Sequence, residues 1–157
     1  MLTRRNFTFA LAASAGAASV AYAKTAYGSP VSHGVMMLNA DCSDANVLNV
    51  FEPAIIRVQP GDMVTFIPSD SGHNTASKRG MIPDGADPWN STVDERLTIT
   101  PTVPGIYGYL CLPHYEMGMV GVIVVGDDLS SLEAVKKARH PGHARKAFRM
   151  LLEQLDT

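Results

Sequence analysis

Along the chain, short apolar runs alternate with turn residues in a rhythm that belongs to strands. Val35-Met36-Met37-Leu38 is a first run and Val50-Phe51 a short second. Ala54 to Val58 leads into the turn signal Gln59-Pro60-Gly61-Asp62, and Met63-Val64-Thr65-Phe66-Ile67 then resumes with apolar and polar positions in alternation. Arg96 to Thr100 alternates again, Pro104-Gly105 breaks the chain, Ile106 to Leu110 follows, and Met119 to Val125 is the last and most continuous run. About seven strands punctuated by Gly and Pro predict a mainly β fold, a Greek-key β-sandwich, over residues 24–126. Between Asp70 and Asp94 the periodicity dissolves into a long polar stretch. In a small domain, a loop of that length is functional or packed around something.

After residue 126 the period changes. Ser130-Ser131-Leu132-Glu133 reads as a capping box, opening a helix that runs to Arg139 and stops at Pro141-Gly142. A second helix from about His143 to Leu155 would place Ala147, Met150, Leu151 and Leu155 on one face. Residues 127–157 are thus expected to form a C-terminal helical extension of two helices, covering one side or edge of the sandwich.

The amino terminus changes the picture again. Thr3-Arg4-Arg5-Asn6-Phe7 precedes a weakly apolar, Ala-rich run to Val20 and then Ala21-Tyr22-Ala23, a small-x-small cleavage site. Residues 1–23 therefore read as an export signal peptide of twin-arginine type, with the periplasm as destination. The apolar run is too short and too rich in Ala for a membrane span, so none is expected in the mature protein.

Composition narrows the function. The 157 residues suffice for one domain with a core, and a formal net charge of −2 without a Lys/Arg block gives no reason to expect nucleic-acid binding. Removing Arg4 and Arg5 with the signal leaves 11 basic and 15 acidic residues. Residues 24–126 hold 5 basic against 10 acidic, whereas residues 127–157 hold 6 against 5. No Ser/His/Asp set, phosphate-binding Gly loop or pair of carboxylates stands out, so no enzymatic activity is expected.

The chemistry concentrates in Cys111-Leu112-Pro113-His114-Tyr115-Glu116-Met117-Gly118-Met119, a Cys-x2-His-x4-Met loop between two predicted strands. His73 sits in a separate loop after the Met63–Ile67 run. A thiolate, two imidazoles and a thioether make a blue-copper donor set, with His73, Cys111 and His114 trigonal around the metal and Met119 as a weak axial donor. Met117 is also a candidate by chemistry. Zinc is the chemical rival, but its structural sites use several thiolates and gain little from a thioether. A haem site would need Cys-x-x-Cys-His, which is absent.

At these residues the chain resembles the pseudoazurins, a bacterial branch of the cupredoxin family. The resemblance runs through Asn39, Phe51-Glu52-Pro53-Ala54, Pro60-Gly61-Asp62, Val64 to Pro68, Gly72-His73-Asn74, Met81 to Ala86 and Pro104 to Tyr107. It continues in Cys111, Pro113-His114-Tyr115, Met117 to Gly121 and the tail. It implies one type 1 copper per chain, selects Met119 over Met117, and suggests a monomeric one-electron carrier between periplasmic redox proteins. A copper nitrite reductase or a cytochrome would be such a partner, in denitrification, docking at an apolar patch of Ile67, Pro68, Pro113 and Met117 around His114. A copper-binding or delivery protein without an electron-transfer partner is the alternative.

Three departures from the family pattern stand out. Ser71 and Leu110 occupy flanking positions, and no ring of lysines surrounds the expected patch, which favours apolar contact or a basic partner. Leu112 replaces a small hydroxyl residue, so a side-chain hydrogen bond from Asn74 to that position is expected to be lost. Cys42, in Asp41-Cys42-Ser43-Asp44, has no family role and reads as buried or as able to pair two molecules.

Overall fold

The computed structural model describes residues 29–156. The expected export signal lies outside them.

Eight strands form two four-stranded sheets. They are β1 (Ser32–Ala40), β2 (Leu48–Glu52), β3 (Ile55–Val58), β4 (Met63–Pro68), β5 (Ala76–Ser77), β6 (Leu97–Ile99), β7 (Gly105–Leu110) and β8 (Val120–Val125). One sheet runs β2-β1-β4-β6 and the other β3-β8-β7-β5. The pairs β1–β4 and β3–β8 are parallel, with Val35 opposite Phe66 and Ile56 opposite Ile123, and the remaining pairs are antiparallel. Each alternating run of the sequence became a strand. The polar stretch from Asp70 to Asp94 also yielded the two-residue β5, too short to show a period.

Alternation sends Val35, Met37, Phe51, Val64 and Phe66 of the first sheet against Tyr107, Tyr109, Ile123 and Val125 of the second. Phe51 and Phe66 meet Tyr109 edge-on at 4.8 and 5.0 Å between ring centres. Gly121, opposite Tyr109 in the ladder, has no Cβ because the Tyr109 ring lies across its backbone.

β7 and β8 are buried along their whole length. Their second set of side chains, Ile106, Leu110, Val120, Val122 and Val124, packs beneath the C-terminal tail. That double burial is why the Met119–Val125 run is continuous instead of alternating.

The tail differs from its expectation in two respects. α1 spans only Leu132–Val135, and its N-cap Ser131 makes no side-chain cap bond, so the capping box is absent. Instead the Ser130 amide bonds the Asp128 carboxylate at 2.8 Å. α2 spans Ala144–Glu153 and buries Ala144, Phe148 and Leu152 at i, i+4 and i+8, joined beyond its end by Leu155. Ala147 and Leu151 are only partly buried and Met150 is half exposed, so the buried face is rotated from the expected one. Phe148, in the core beneath the tail, also packs its ring 4.3 Å from that of His140. Burying Phe148 and Leu152 stabilises the docked tail by roughly 1.5–3 kcal/mol each.

Candidate metal centre

The period of two that builds the core also delivers the two sulfur side chains. Tyr107 and Tyr109 point between the sheets, and Cys111 is next in that row; Ile123 and Gly121 lead back to Met119 in the same way. Cys111 and Met119 are both buried, and the Cys111 amide bonds the Met119 carbonyl at 3.0 Å. Between them the chain folds into consecutive tight turns. The His114 amide bonds the Cys111 carbonyl at 3.2 Å, and the Met119 amide bonds the His114 carbonyl at 3.2 Å.

His73 arrives from the segment before β5 and is fully buried. Its Nδ1 lies 3.9 Å from Cys111 Sγ, and His114 Nδ1 lies 3.5 Å from the same sulfur. The donor atoms of His73, Cys111 and His114 all fall within 4.8 Å of one another. Among the described residues Cys111 has no disulfide partner. A buried free thiol between two imidazole nitrogens is a poor packing arrangement and a good set of metal donors.

Met119 and Met117 take opposite positions. Met119 is 1% exposed within the inter-sheet core, whereas Met117 is 60% exposed and its Sδ accepts a contact from Asn49 Nδ2 at 3.6 Å. Burial therefore favours Met119 as the fourth donor.

Hydrogen bonds from distant segments fix the ring and the loop. His73 Nε2 faces Asn39 Oδ1 at 3.0 Å, which places the ring proton on Nε2 and leaves the Nδ1 lone pair turned toward the sulfur. The Asp94 carboxylate accepts the Gly72 amide at 2.6 Å, and the Asp94 amide bonds the His73 carbonyl at 2.8 Å. Asn74 Oδ1 accepts the Leu112 amide at 2.7 Å, while its Nδ2 donates to the Ser91 carbonyl at 3.1 Å. The Asn74 link across to position 112 thus persists through the backbone, although Leu112 offers no hydroxyl; its side chain is 54% exposed.

Burial lowers the pKa of His73, reinforced by the nearby His114 and opposed by Asp70 and Asp94, so the ring is held in its neutral, ligating form. Burial pushes the Cys111 thiol up, offset by the amides of Asn74 and His114, so loss of its proton calls for a cation.

The tail also reaches this loop. The Tyr115 hydroxyl lies 2.8 Å from His140 Nδ1, and the His143 amide bonds the Glu116 carbonyl at 2.8 Å. Gly142 adopts φ +48°, and a Cβ there would sit 2.5 Å from the Glu116 oxygen, so only glycine lets the tail pass so close. The roles of Asn39, Asp94, Tyr115 and His140 at the site were not legible in the sequence. A polar Asn closing an alternating strand was the one available signal among them. Cys42 is exposed, not buried.

Residues 38–126 match the family of copper binding proteins, plastocyanin/azurin family. A pseudoazurin of Paracoccus pantotrophus is 41% identical over 142 residues, covering 90% of this chain and 96% of its own. A solved Sinorhizobium pseudoazurin superposes with a TM-score of 0.76 at 42% identity, over 80% of this chain and 97% of its own. The pseudoazurin of Methylobacterium extorquens AM1 gives 0.73 at 40%, over 79% and 98%. Fold and site thus define a cupredoxin, a copper-binding electron carrier and not an enzyme. Within the plastocyanin/azurin family, the chain belongs to the pseudoazurins.

Proposed function

We propose that this chain is a periplasmic one-electron carrier in which His73, Cys111, His114 and Met119 hold copper. The observation that carries the reading is the convergence of His73, Cys111 and His114, with His114 the one of the three that reaches the surface. Copper bound there supplies a Cu(II)/Cu(I) couple that takes up and returns a single electron.

The protein's own part is to hold the donors still. Cys111, His114 and Met119 share a loop of nine residues closed at both ends by β7 and β8, and Asn39 fixes the His73 ring. A site that barely rearranges on gaining an electron exchanges it quickly. With His114 Nδ1 turned inward, the opposite edge of the half-buried ring is left to face a partner across exposed Leu112, Pro113 and Met117. Ile67 and Pro68, half-buried, complete the expected patch. A copper nitrite reductase or a cytochrome is the kind of partner proposed, with the carrier a monomer and denitrification a suitable setting. No helix among the described residues is long and apolar enough to cross a membrane.

Two experiments test this. Voltammetry of the copper-loaded protein should give a reversible wave of one electron per copper; an irreversible or absent wave would return the protein to copper binding or delivery. Cell fractionation should find the processed chain in the periplasm. An Arg4→Lys/Arg5→Lys precursor should accumulate in the cytoplasm, and its normal export would remove the twin-arginine route.

A further inference from the structure

Three stretches of chain meet around the candidate metal centre, residues 38–52, 67–77 and 110–120. Together they carry five acidic residues, Asp41, Asp44, Glu52, Asp70 and Glu116, and no lysine or arginine. The structure places several of these beside the site. The Asp70 carboxylate accepts the amide of Asn39 at 2.7 Å, and Asn39 in turn holds His73. Asp94, from the long loop, bonds Gly72 and His73 on the same side. Glu116 is exposed on the ligand loop itself, and Asp41 lines a groove shared with Gly118 and Met150.

Among the described residues none of these carboxylates has an ion-pair partner. The ion pairs among the described residues join Arg57 to Asp127, Lys136 to Glu133 and Asp156, and Arg149 to Glu153, and the His33 ring contacts Asp62. Backbone amides orient Asp70 and Asp94 but leave their negative charge in place. Fewer cations than carboxylates reach this face. Arg79 shares a groove with Leu112, Lys146 shares one with Met117, and Arg96 adjoins Glu95.

At the centre of this acidic surround lie apolar side chains open to solvent, Leu112, Pro113 and Met117, with Val47 and Leu48 continuing the surface past Met117. An apolar centre with a charged rim is the anatomy of a protein interface, and the sign of the rim selects the partner by attraction at a distance and repulsion on contact.

We propose that this face receives a redox partner whose electron port is apolar and ringed by lysine and arginine. The inference rests on the reading of the His114 face as the electron port. A partner with an acidic rim would meet like charge on the segments that surround that port.

The test uses two small oxidants of opposite charge on the reduced, copper-loaded protein: tris(phenanthroline)cobalt(III), a trication, and hexacyanoferrate(III), a trianion. In each reaction one electron leaves the reduced protein and the oxidant's metal goes from the trivalent to the divalent state, with no bond made. Stopped-flow rates are followed as ionic strength rises from about 0.01 to about 0.2 M, which shortens the screening length from about 30 Å to under about 10 Å. The cation's rate should fall on the order of tenfold and the anion's should rise.

Asp70→Asn/Glu116→Gln, or Asp44→Asn/Glu116→Gln should the first pair fold poorly, should flatten both slopes. Asp127→Asn/Glu133→Gln, which removes equal charge away from the site, should leave them unchanged. Flat or inverted slopes in the unaltered protein, or equal flattening by the distant pair, would overturn the proposal. If neither oxidant takes an electron, the carrier reading itself fails, an outcome distinct from a carrier with the wrong salt dependence.

Discussion

At each end of the sandwich a histidine is tied to a side-chain oxygen by a contact of the same length, yet the two serve different ends. Away from the candidate centre, His33 Nε2 lies 3.0 Å from Asp62 Oδ2. Beside it, His73 Nε2 lies 3.0 Å from Asn39 Oδ1. The Asp62 carboxylate also accepts the amides of Val31 and Gln59, which with the His33 bond hold its pKa down to about 2. It fastens the start of β1 to the turn before β4. Asn39 carries no charge. The carboxylate, gathering two amides and an imidazole, ties chain segments together, whereas the amide oxygen of Asn39 orients its ring with the far nitrogen turned toward Cys111. What separates the two is the far nitrogen: His73 Nδ1 faces Cys111 Sγ at 3.9 Å, and among the described residues the group of side chains able to hold a metal is His73, Cys111 and His114.

The comparison can be broken first at the sulfur that only one end possesses. Cys111→Ser should abolish the copper–thiolate absorption entirely while the sandwich still folds, as visible and far-ultraviolet spectra would show. Next, Asn39→Ala should weaken copper binding about 10- to 100-fold in competition with a chelator, the usual cost of losing the partner that orients a ligating histidine. Asp62→Asn should leave copper affinity unchanged, and equal loss in both variants would erase the distinction between the two ends.

Acid sharpens the contrast. Because the Asp62 pKa is lowered on folding, from 3.8 to about 2, its stabilisation is complete above about pH 4 and is lost as pH falls toward 2. Acid unfolding curves of the unaltered protein should show that loss. In Asp62→Asn the curve should be flatter over the same interval and the melting temperature at neutral pH lower.

How much of this was legible beforehand follows from which interactions are local. Cys111, His114 and Met119 lie within nine residues, β4 alternates and β8 is a continuous apolar run, so the ligand loop and its strands could be read directly. Asn39 and His73 are separated by 34 positions, and only the parallel pairing of β1 with β4 brings their segments together. No local pattern announces such a bond. The tail misled for a different reason: the expected face of α2 left out Phe148 and Leu152, which with Ala144 form the buried one. Phe148 also meets His140, and His140 in turn contacts Tyr115 of the ligand loop.

Two smaller effects complete the series. Tyr115→Phe removes the hydroxyl that joins the ligand loop to His140, and should cost about 0.5–1.5 kcal/mol in denaturant unfolding. Cys42→Ser, at an exposed position away from the core, should change stability by less than about 0.5 kcal/mol and leave the copper spectrum as it was.

The central claim is that Cys111 and its three companions hold copper in a redox-reversible site. The most direct measurement is the visible spectrum of the protein titrated with Cu(II), then reduced with ascorbate and reoxidised. The account predicts an intense charge-transfer band that saturates at one copper per chain, bleaches on reduction and returns on reoxidation. A protein that stays colourless, or shows only weak bands that fail to return, would contradict it.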